Sequence, residues 1–236
     1  MKKLIILAAC AACVSVSFAE PKTRSGEFLK SVTEASGGPD GIKTKASKTE
    51  YEAQLAALQA LLPGAPDQVG IDAANANICV LMALLGRTDE ALQVADNIQD
   101  TQTREKRKLH ITHIAKGKDA AVAKLKELLA SPQIPPEDHV IYVEKLVNVL
   151  GNDAKKDEEV VELATLALEK TQFKDDTARV GFLLVKFQQK AVGAGAGDKD
   201  RTRKALEDIV ANTKETEKTK PLLDAARETI ATIPAH

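Results

Sequence analysis

The chain has 236 residues, of which 44% are hydrophobic and 28% are charged, a balance typical of a globular protein with a buried core. This composition excludes a collagen-like or wholly disordered chain. Aromatic residues make up 3% and the formal net charge is -1, so the sequence indicates neither a nucleic-acid binder that stacks bases nor a protein that attracts partners by its total charge.

The first 19 residues have the pattern of a secretory signal peptide. Lys2 and Lys3 form a basic start, an apolar run follows over residues 4–16, and Ser17 and Ala19 are the small residues that a signal peptidase reads. We therefore predict cleavage after Ala19 and export, to the bacterial periplasm or, alternatively, out of the cell. The apolar run is shorter than the about 20 residues that span a bilayer, and no later uncharged stretch reaches that length.

A second interpretation of this segment is a lipoprotein signal, because Leu7-Ala8-Ala9-Cys10 matches the pattern that directs lipid attachment to a cysteine. Cleavage there would leave an apolar region of about six residues, below the usual range of about seven to fifteen. We therefore prefer cleavage after Ala19. A subunit of an envelope complex, anchored through Cys10, remains the alternative.

Beyond the signal, the sequence predicts helices almost without interruption. Residues 20–46 form a polar leader with one short helix over residues 26–35, for which Ser25 is the expected N-cap. Residues 47–236 form one helical-repeat domain, in which apolar residues recur at intervals of three and four and Gly or Pro ends most of the helices. Thr88 is the expected N-cap of the helix that follows Gly86. Further helices are predicted over residues 47–62, 69–85, 104–116, 119–130, 137–150, 157–170, 175–191, 200–212 and 217–233.

The predicted helices are short and alternate with tight turns, as in stacked helical hairpins. Hairpins open near Gln68, Gln102 and Pro136, a spacing of about 34 residues, which is the tetratricopeptide period. The next openings, near Asp175 and Thr216, depart from it. No alternation of apolar and polar residues between turn signals predicts a strand. The expected class is therefore all-α, with hairpins that bury their apolar faces by stacking.

Residues 74–92 carry the strongest repeat signal and resemble one tetratricopeptide repeat. Gly86 matches the family's turn glycine, and Asp89-Glu90-Ala91-Leu92 matches the acidic and Ala-aliphatic opening of its second helix. Ile78-Cys79 stands where the family usually has Leu-Gly. The family's Trp and closing Pro are replaced by Asn75 and Thr103. The resemblance implies an α-α solenoid of stacked hairpins, with weaker matches after this repeat.

The same resemblance implies a binding surface. In tetratricopeptide stacks the first helix of each hairpin lines the inner surface, and Asn77 matches the family's inward-facing Asn. We therefore expect Asn77 to bind the partner and Asn75 to lie beside it. Arg104 and Lys108 are expected to supply charge for an acidic partner segment. The rest of the basic run at residues 104–108 is interpreted as an exposed, solvated surface.

Two histidines are the strongest candidates for metal chemistry. His110 and His113 are three residues apart on one predicted helix and can share a face, with Glu105 as a possible third ligand. We interpret them as partly exposed polar residues, since His139 and His236 are remote and no HExxH motif occurs. A metal-binding protein or enzyme centred on His110 and His113 is the alternative.

No motif of a nucleophilic enzyme occurs in the sequence. The chain lacks a Gly-x-Ser-x-Gly elbow, and Cys79 lies in an apolar run that should bury its thiol and raise the thiol's pKa. We therefore predict no catalytic residue, no cofactor and no metal. The expected function is an exported helical scaffold that binds a protein or peptide partner and no nucleic acid.

Overall fold

The computed structural model describes residues 24–135, 138–151, 154, 157–170 and 178–234. This part of the chain is helical and contains no β-strand, which confirms the predicted all-α class. The predicted signal peptide, with Cys10, lies outside the described residues, as does His236. The helices described are α1 (Arg24–Ala35), α2 (Lys48–Leu61), α3 (Gln68–Leu84), α4 (Thr88–Asp96), α5 (Thr101–Ala130), α6 (His139–Leu150), α7 (Glu158–Lys170), α8 (Ala178–Gly193), α9 (Lys199–Asn212) and α10 (Lys220–Thr232).

Local side-chain caps start several of these helices, because the first backbone N–H groups of a helix have no partner inside it. Ser47 and Glu50 form a capping box on α2: the Ser47 hydroxyl accepts the Glu50 N–H at 3.2 Å, and the Glu50 carboxylate accepts the Ser47 N–H at 2.7 Å. Asp67, Asp100 and Asp198 cap α3, α5 and α9, each by accepting the N–H three residues further on.

Two predicted caps were wrong by one residue or more. Ser25 lies inside α1, and its hydroxyl donates to the carboxylate of Asp67 instead of starting its own helix. Thr88 is the first residue of α4, and Arg87 occupies the cap position without a side-chain cap bond. Arg87 instead pairs with Glu90, whose Oε1 accepts from its Nε at 2.8 Å.

Gly86 ends α3 as predicted. Its φ of 80° lies in the left-handed region, where glycine has no steric penalty. The N–H of Gly86 then donates to Ala83 O at 3.0 Å, and the N–H of Arg87 donates to Met82 O at 2.9 Å. This pair of bonds is the Schellman motif, and it turns the chain directly into α4.

Gly117 breaks α5 into two arms, because its φ of 81° and ψ of -170° are not helical. The N-terminal arm covers residues 101–116 and the C-terminal arm covers residues 118–130. The two helices predicted on either side of Gly117 are therefore confirmed, although no loop separates them.

Each helix packs against its neighbours in the chain and, in several places, against the helix after next. α3 contacts α1, α2, α4 and α5, and α5 in turn contacts α6. α6 contacts α7 and α8, α7 contacts α9, and α8 contacts α10. This order places α3, α5 and α6 side by side, which brings residues distant in sequence to one surface.

The buried side chains form two clusters that meet on the N-terminal arm of α5. One cluster extends from α1 to α5 and includes Leu81 and Ile111, and the other extends from α5 to α10 and includes Leu109 and Leu206. Leu109 and Ile111 are two residues apart and therefore point in different directions from the same helix. The arm joins the two clusters and leaves its remaining faces for polar residues.

The short helix of the predicted leader belongs to the first cluster. Phe28 and Val32 of α1 are buried, and α1 packs on α2 and α3. The leader thus contributes to the core through these two buried residues of α1 and through Ile42, which is partly buried against the same cluster. In the described part of the chain, none of the helices combines the length and the apolar character needed to cross a bilayer.

Candidate functional site

The two asparagines predicted to bind the partner lie on α3, between the other helices. Asn75 is buried, with 6% of its surface exposed, and Asn77 is partly buried. The Nδ2 of Asn77 donates to Ala73 O at 2.9 Å, one turn back in the same helix. The side-chain amide of Asn77 is therefore already hydrogen-bonded within its own helix. Binding of a partner by both asparagines stays a prediction.

Arg104 and Lys108 lie on the N-terminal arm of α5 but are engaged at its junction with α4. The Nη1 of Arg104 donates to Ile98 O at 2.9 Å. The Nζ of Lys108 lies 2.6 Å from a carboxylate oxygen of Asp96 and 3.7 Å from one of Glu105. Their role in partner binding stays a prediction. The contacts observed here help to hold α4 and the residues after it against α5.

A different set of polar side chains lies on another face of the same arm. Arg107, His110 and His113 follow one another at intervals of three, which places them along one side of the helix. Lys145 lies on α6, which packs against α5, and it is near enough for its charge to act on both histidines. All four residues are partly buried, and we call them the cationic face.

The two histidines of the cationic face are held neutral. Burial is the main cause that lowers the pKa of His110 to about 3, and the charges of Lys145 and Arg107 add to it. Burial and the charge of Lys145 also lower the pKa of His113. Both imidazoles are therefore neutral at physiological pH and carry one N–H each.

The hydrogen of each neutral imidazole is favoured on Nε2. In both His110 and His113, Nδ1 is buried without a hydrogen-bond partner, and an unpaired buried N–H there would be costly. Neither Nε2 is a buried unpaired atom, and no hydrogen bond to a described residue occupies either one. Two Nε2–H donors are thus available on the cationic face.

The two basic side chains of this face, Arg107 and Lys145, repel each other when both are protonated. Burial is the main cause that lowers the pKa of Lys145 to about 7, followed by the charges of Arg107 and Lys106, while Glu144 acts in the opposite direction. Burial also lowers the pKa of Arg107. Among the described residues no carboxylate lies within ion-pair distance of Arg107 or Lys145, in contrast to Lys108.

Cys79 forms part of the packing beneath this face, where α3 meets α5. Its side chain is fully buried, and its thiol donates to Ala76 O at 3.4 Å. Burial raises the pKa of Cys79 to about 11, although the charges of Arg107 and Lys145 act in the opposite direction. The prediction of a packed, unactivated cysteine is confirmed.

The cationic face is chemically suited to negative charge. Within the described ranges, no group of three or more His, Cys, Asp and Glu side chains is arranged to hold a metal ion. His110 and His113 are close enough to influence each other, as predicted, and are neutral as metal ligands must be. The charges of Arg107 and Lys145 would, however, repel a divalent cation at that position.

Sequence reasoning missed two of the four residues, Arg107 and Lys145. It interpreted Arg107 as part of an exposed, solvated surface and gave Lys145 no role. The structure divides the basic residues between 104 and 108, with Lys108 paired to α4 and Arg107 directed towards α6. The spacing of three from Arg107 through the two histidines was a usable signal. Nothing in the sequence placed Lys145 beside them, since 38 residues separate it from Arg107.

Comparison of the chain with protein-family models, with curated proteins and with solved structures finds no match. Its function therefore has to follow from its residues and from the packing of its helices.

Proposed function

We propose that this chain is an exported, non-catalytic helical scaffold that binds a protein or peptide partner in the bacterial periplasm. The observation that carries this function is the cationic face, which spans two helices packed side by side, α5 and α6. A surface shared by consecutive helices suits an extended ligand, which crosses several helices at once. The buried thiol of Cys79 and the two neutral imidazoles offer no activated nucleophile.

The helix contacts support a tetratricopeptide-like solenoid as the architecture of this scaffold. In such a stack the first helices of successive hairpins pack on one another and form one continuous surface. Here α3 contacts α5, α5 contacts α6, α6 contacts α8 and α8 contacts α10, while α7 contacts α9 on the second row. The Schellman turn at Gly86 and the spacing of about 34 residues between the first hairpins agree with this arrangement.

Export is proposed from the basic and apolar pattern of residues 1–19. Mass measurement of the N-terminus in purified protein tests it. A chain that begins at Glu20 is the expected result. A lipid-modified Cys10 would contradict a freely exported protein and would support the envelope-anchored alternative.

Partner binding at the cationic face can be tested by site-specific photo-crosslinking in the cells that produce the protein. A photoreactive amino acid in place of His113 reports on this face, and one in place of Gln93, an exposed residue of α4, is the control. We expect a discrete cross-linked product from position 113 alone. Equal products from both positions, or none from either, would contradict the proposed surface.

A further inference from the structure

The cationic face contains more positive charge than its surroundings neutralise. Lys108, a partly buried cation on the same arm, is neutralised, because carboxylates of Asp96 and Glu105 both lie within ion-pair distance of it. Arg107 and Lys145 are also partly buried, yet neither forms an ion pair with a described carboxylate. Two cations placed together without counter-charges destabilise a fold. A ligand that supplies the missing negative charge would explain why both side chains lie here.

We propose that the cationic face binds an oxyanion, namely a carboxylate on an acidic peptide segment of the partner. That the carboxylate belongs to a partner peptide rests on the proposed function. That the site binds an oxyanion rests on its four side chains alone. A phosphate group can also accept two parallel hydrogen bonds from a guanidinium and is the ligand against which the peptide has to be compared.

Each residue of the cationic face supplies a distinct contact to such a group. The guanidinium of Arg107 can donate two parallel hydrogen bonds to a carboxylate or phosphate, and the ammonium of Lys145 adds a compact charge. The Nε2–H groups of His110 and His113 are neutral donors that do not add to the repulsion. The buried side chain of Cys79 closes the α3 side with an uncharged thiol.

The other ligand classes fit this face less well. A divalent cation would meet Arg107 and Lys145 before it reached the histidines. A nucleic acid needs a track of cations along its backbone and aromatic side chains for its bases, and this chain has 3% aromatic residues. A single oxyanion, in contrast, needs only the two cations and the two donors that are present.

The anion also changes the protonation of its site. Lys145 faces Arg107, Lys106, His110 and His113 from α5, Cys79 from α3 and Glu144 from its own helix. A bound anion favours the charged ammonium, so binding near pH 8 should draw a proton from the buffer. This uptake distinguishes a ligand at Lys145 from one bound elsewhere on the surface.

The test is a calorimetric titration of the purified exported chain with inorganic phosphate and, separately, with a blocked tetra-aspartate peptide. Lys145→Met and Arg107→Met remove the two charges, and Lys124→Met is the matched control, because Lys124 is a partly buried lysine of the C-terminal arm of α5 that pairs with Glu127 at 2.9 Å. Each variant is checked for helix content by circular dichroism. Repeating the titration at pH 8 in two buffers of different ionisation enthalpy measures proton uptake.

We expect saturable binding that is weakened about tenfold or more by Lys145→Met and by Arg107→Met, and less than about twofold by Lys124→Met. Tighter binding of the peptide than of phosphate supports a carboxylate ligand on a peptide. Binding of phosphate alone would overturn the peptide as ligand but would still support an oxyanion site. Failure of both probes, or equal binding by all folded variants, would overturn the site. Cross-linking at position 113 is a separate readout, so the scaffold and the oxyanion site can fail independently.

Discussion

The two sides of the N-terminal arm of α5 differ in whether their basic side chains are paired with carboxylates. On the α4 side of the N-terminal arm, Lys108 is neutralised by Asp96 and Glu105. On the cationic face, Arg107 and Lys145 approach each other without a described carboxylate at ion-pair distance. The comparison shows that a cluster of basic residues in sequence is not one functional unit, because helix geometry sends its members to different neighbours.

The physical consequence of this division is a difference in the cost of each charge. A paired cation near the surface contributes little, typically about 0–1 kcal/mol. A cation shielded from water and placed beside another cation lowers stability, because neither desolvation nor repulsion is offset. Stability measurements on matched variants therefore separate the two sides directly.

The largest expected effect is stabilisation by Lys145→Met. The folded protein holds the pKa of this lysine at about 7 instead of its ordinary 10.5. Each pKa unit corresponds to about 1.4 kcal/mol, and residual contact with water reduces the total, so we expect the free energy of unfolding to rise by about 2–4 kcal/mol at pH 6. Urea denaturation measures it. Lys108→Met is the control, and equal changes in both variants would remove the contrast between the two sides.

The same lysine predicts a pH dependence. Between pH 7 and pH 10.5 the unfolded chain binds more protons at Lys145 than the folded chain does, so the free energy of unfolding should rise with pH through this window. The advantage of Lys145→Met should therefore be complete below pH 7 and disappear towards pH 10.5. His110 adds a second rise between its folded pKa of about 3 and its ordinary 6.5. An advantage of Lys145→Met that stays constant from pH 6 to pH 10 would contradict the lowered pKa of Lys145 in the folded protein.

An intermediate effect is expected for Cys79, which supports the cationic face from α3. Cys79→Leu should lower the free energy of unfolding by about 1–3 kcal/mol, because extra volume forces α3 and α5 apart. Cys79→Ala is the control and should be tolerated at a smaller cost. The native thiol should resist alkylation until denaturant is added, since it is fully buried. Rapid labelling of the folded chain, or a disulfide-linked dimer, would contradict this packing.

The smallest effect is expected on the paired side. Asp96→Asn leaves Lys108 with Glu105, and the Asp96 side chain is 62% exposed. We expect a loss of about 0.2–1 kcal/mol that declines further in salt, because exposed ion pairs are screened. Thermal denaturation at low and high salt provides the measurement. A loss in the free energy of unfolding as large as the gain from Lys145→Met would show that charge affects stability equally on both sides of the arm.

Most of the helices could be predicted from local sequence. Ser47 with Glu50 and the turn at Gly86 specify helix ends through bonds within a few residues, and Gly117 specifies one through its own left-handed φ. Such bonds depend on neighbours in the chain, so a sequence pattern is enough to find them. Ser25 failed as a predicted cap because its hydroxyl bonds with Asp67, 42 residues away, which no local pattern indicates.

What the sequence by itself determined is therefore the all-α class, most helix ends and the burial of Cys79. Only the tertiary structure decided which cations are paired. The sequence placed Arg107 and Lys108 side by side, but α4 brings Asp96 to Lys108 and α6 brings Lys145 to Arg107. Electrostatic interactions depend on distance in space and on contact with water, and both are set by how the helices pack.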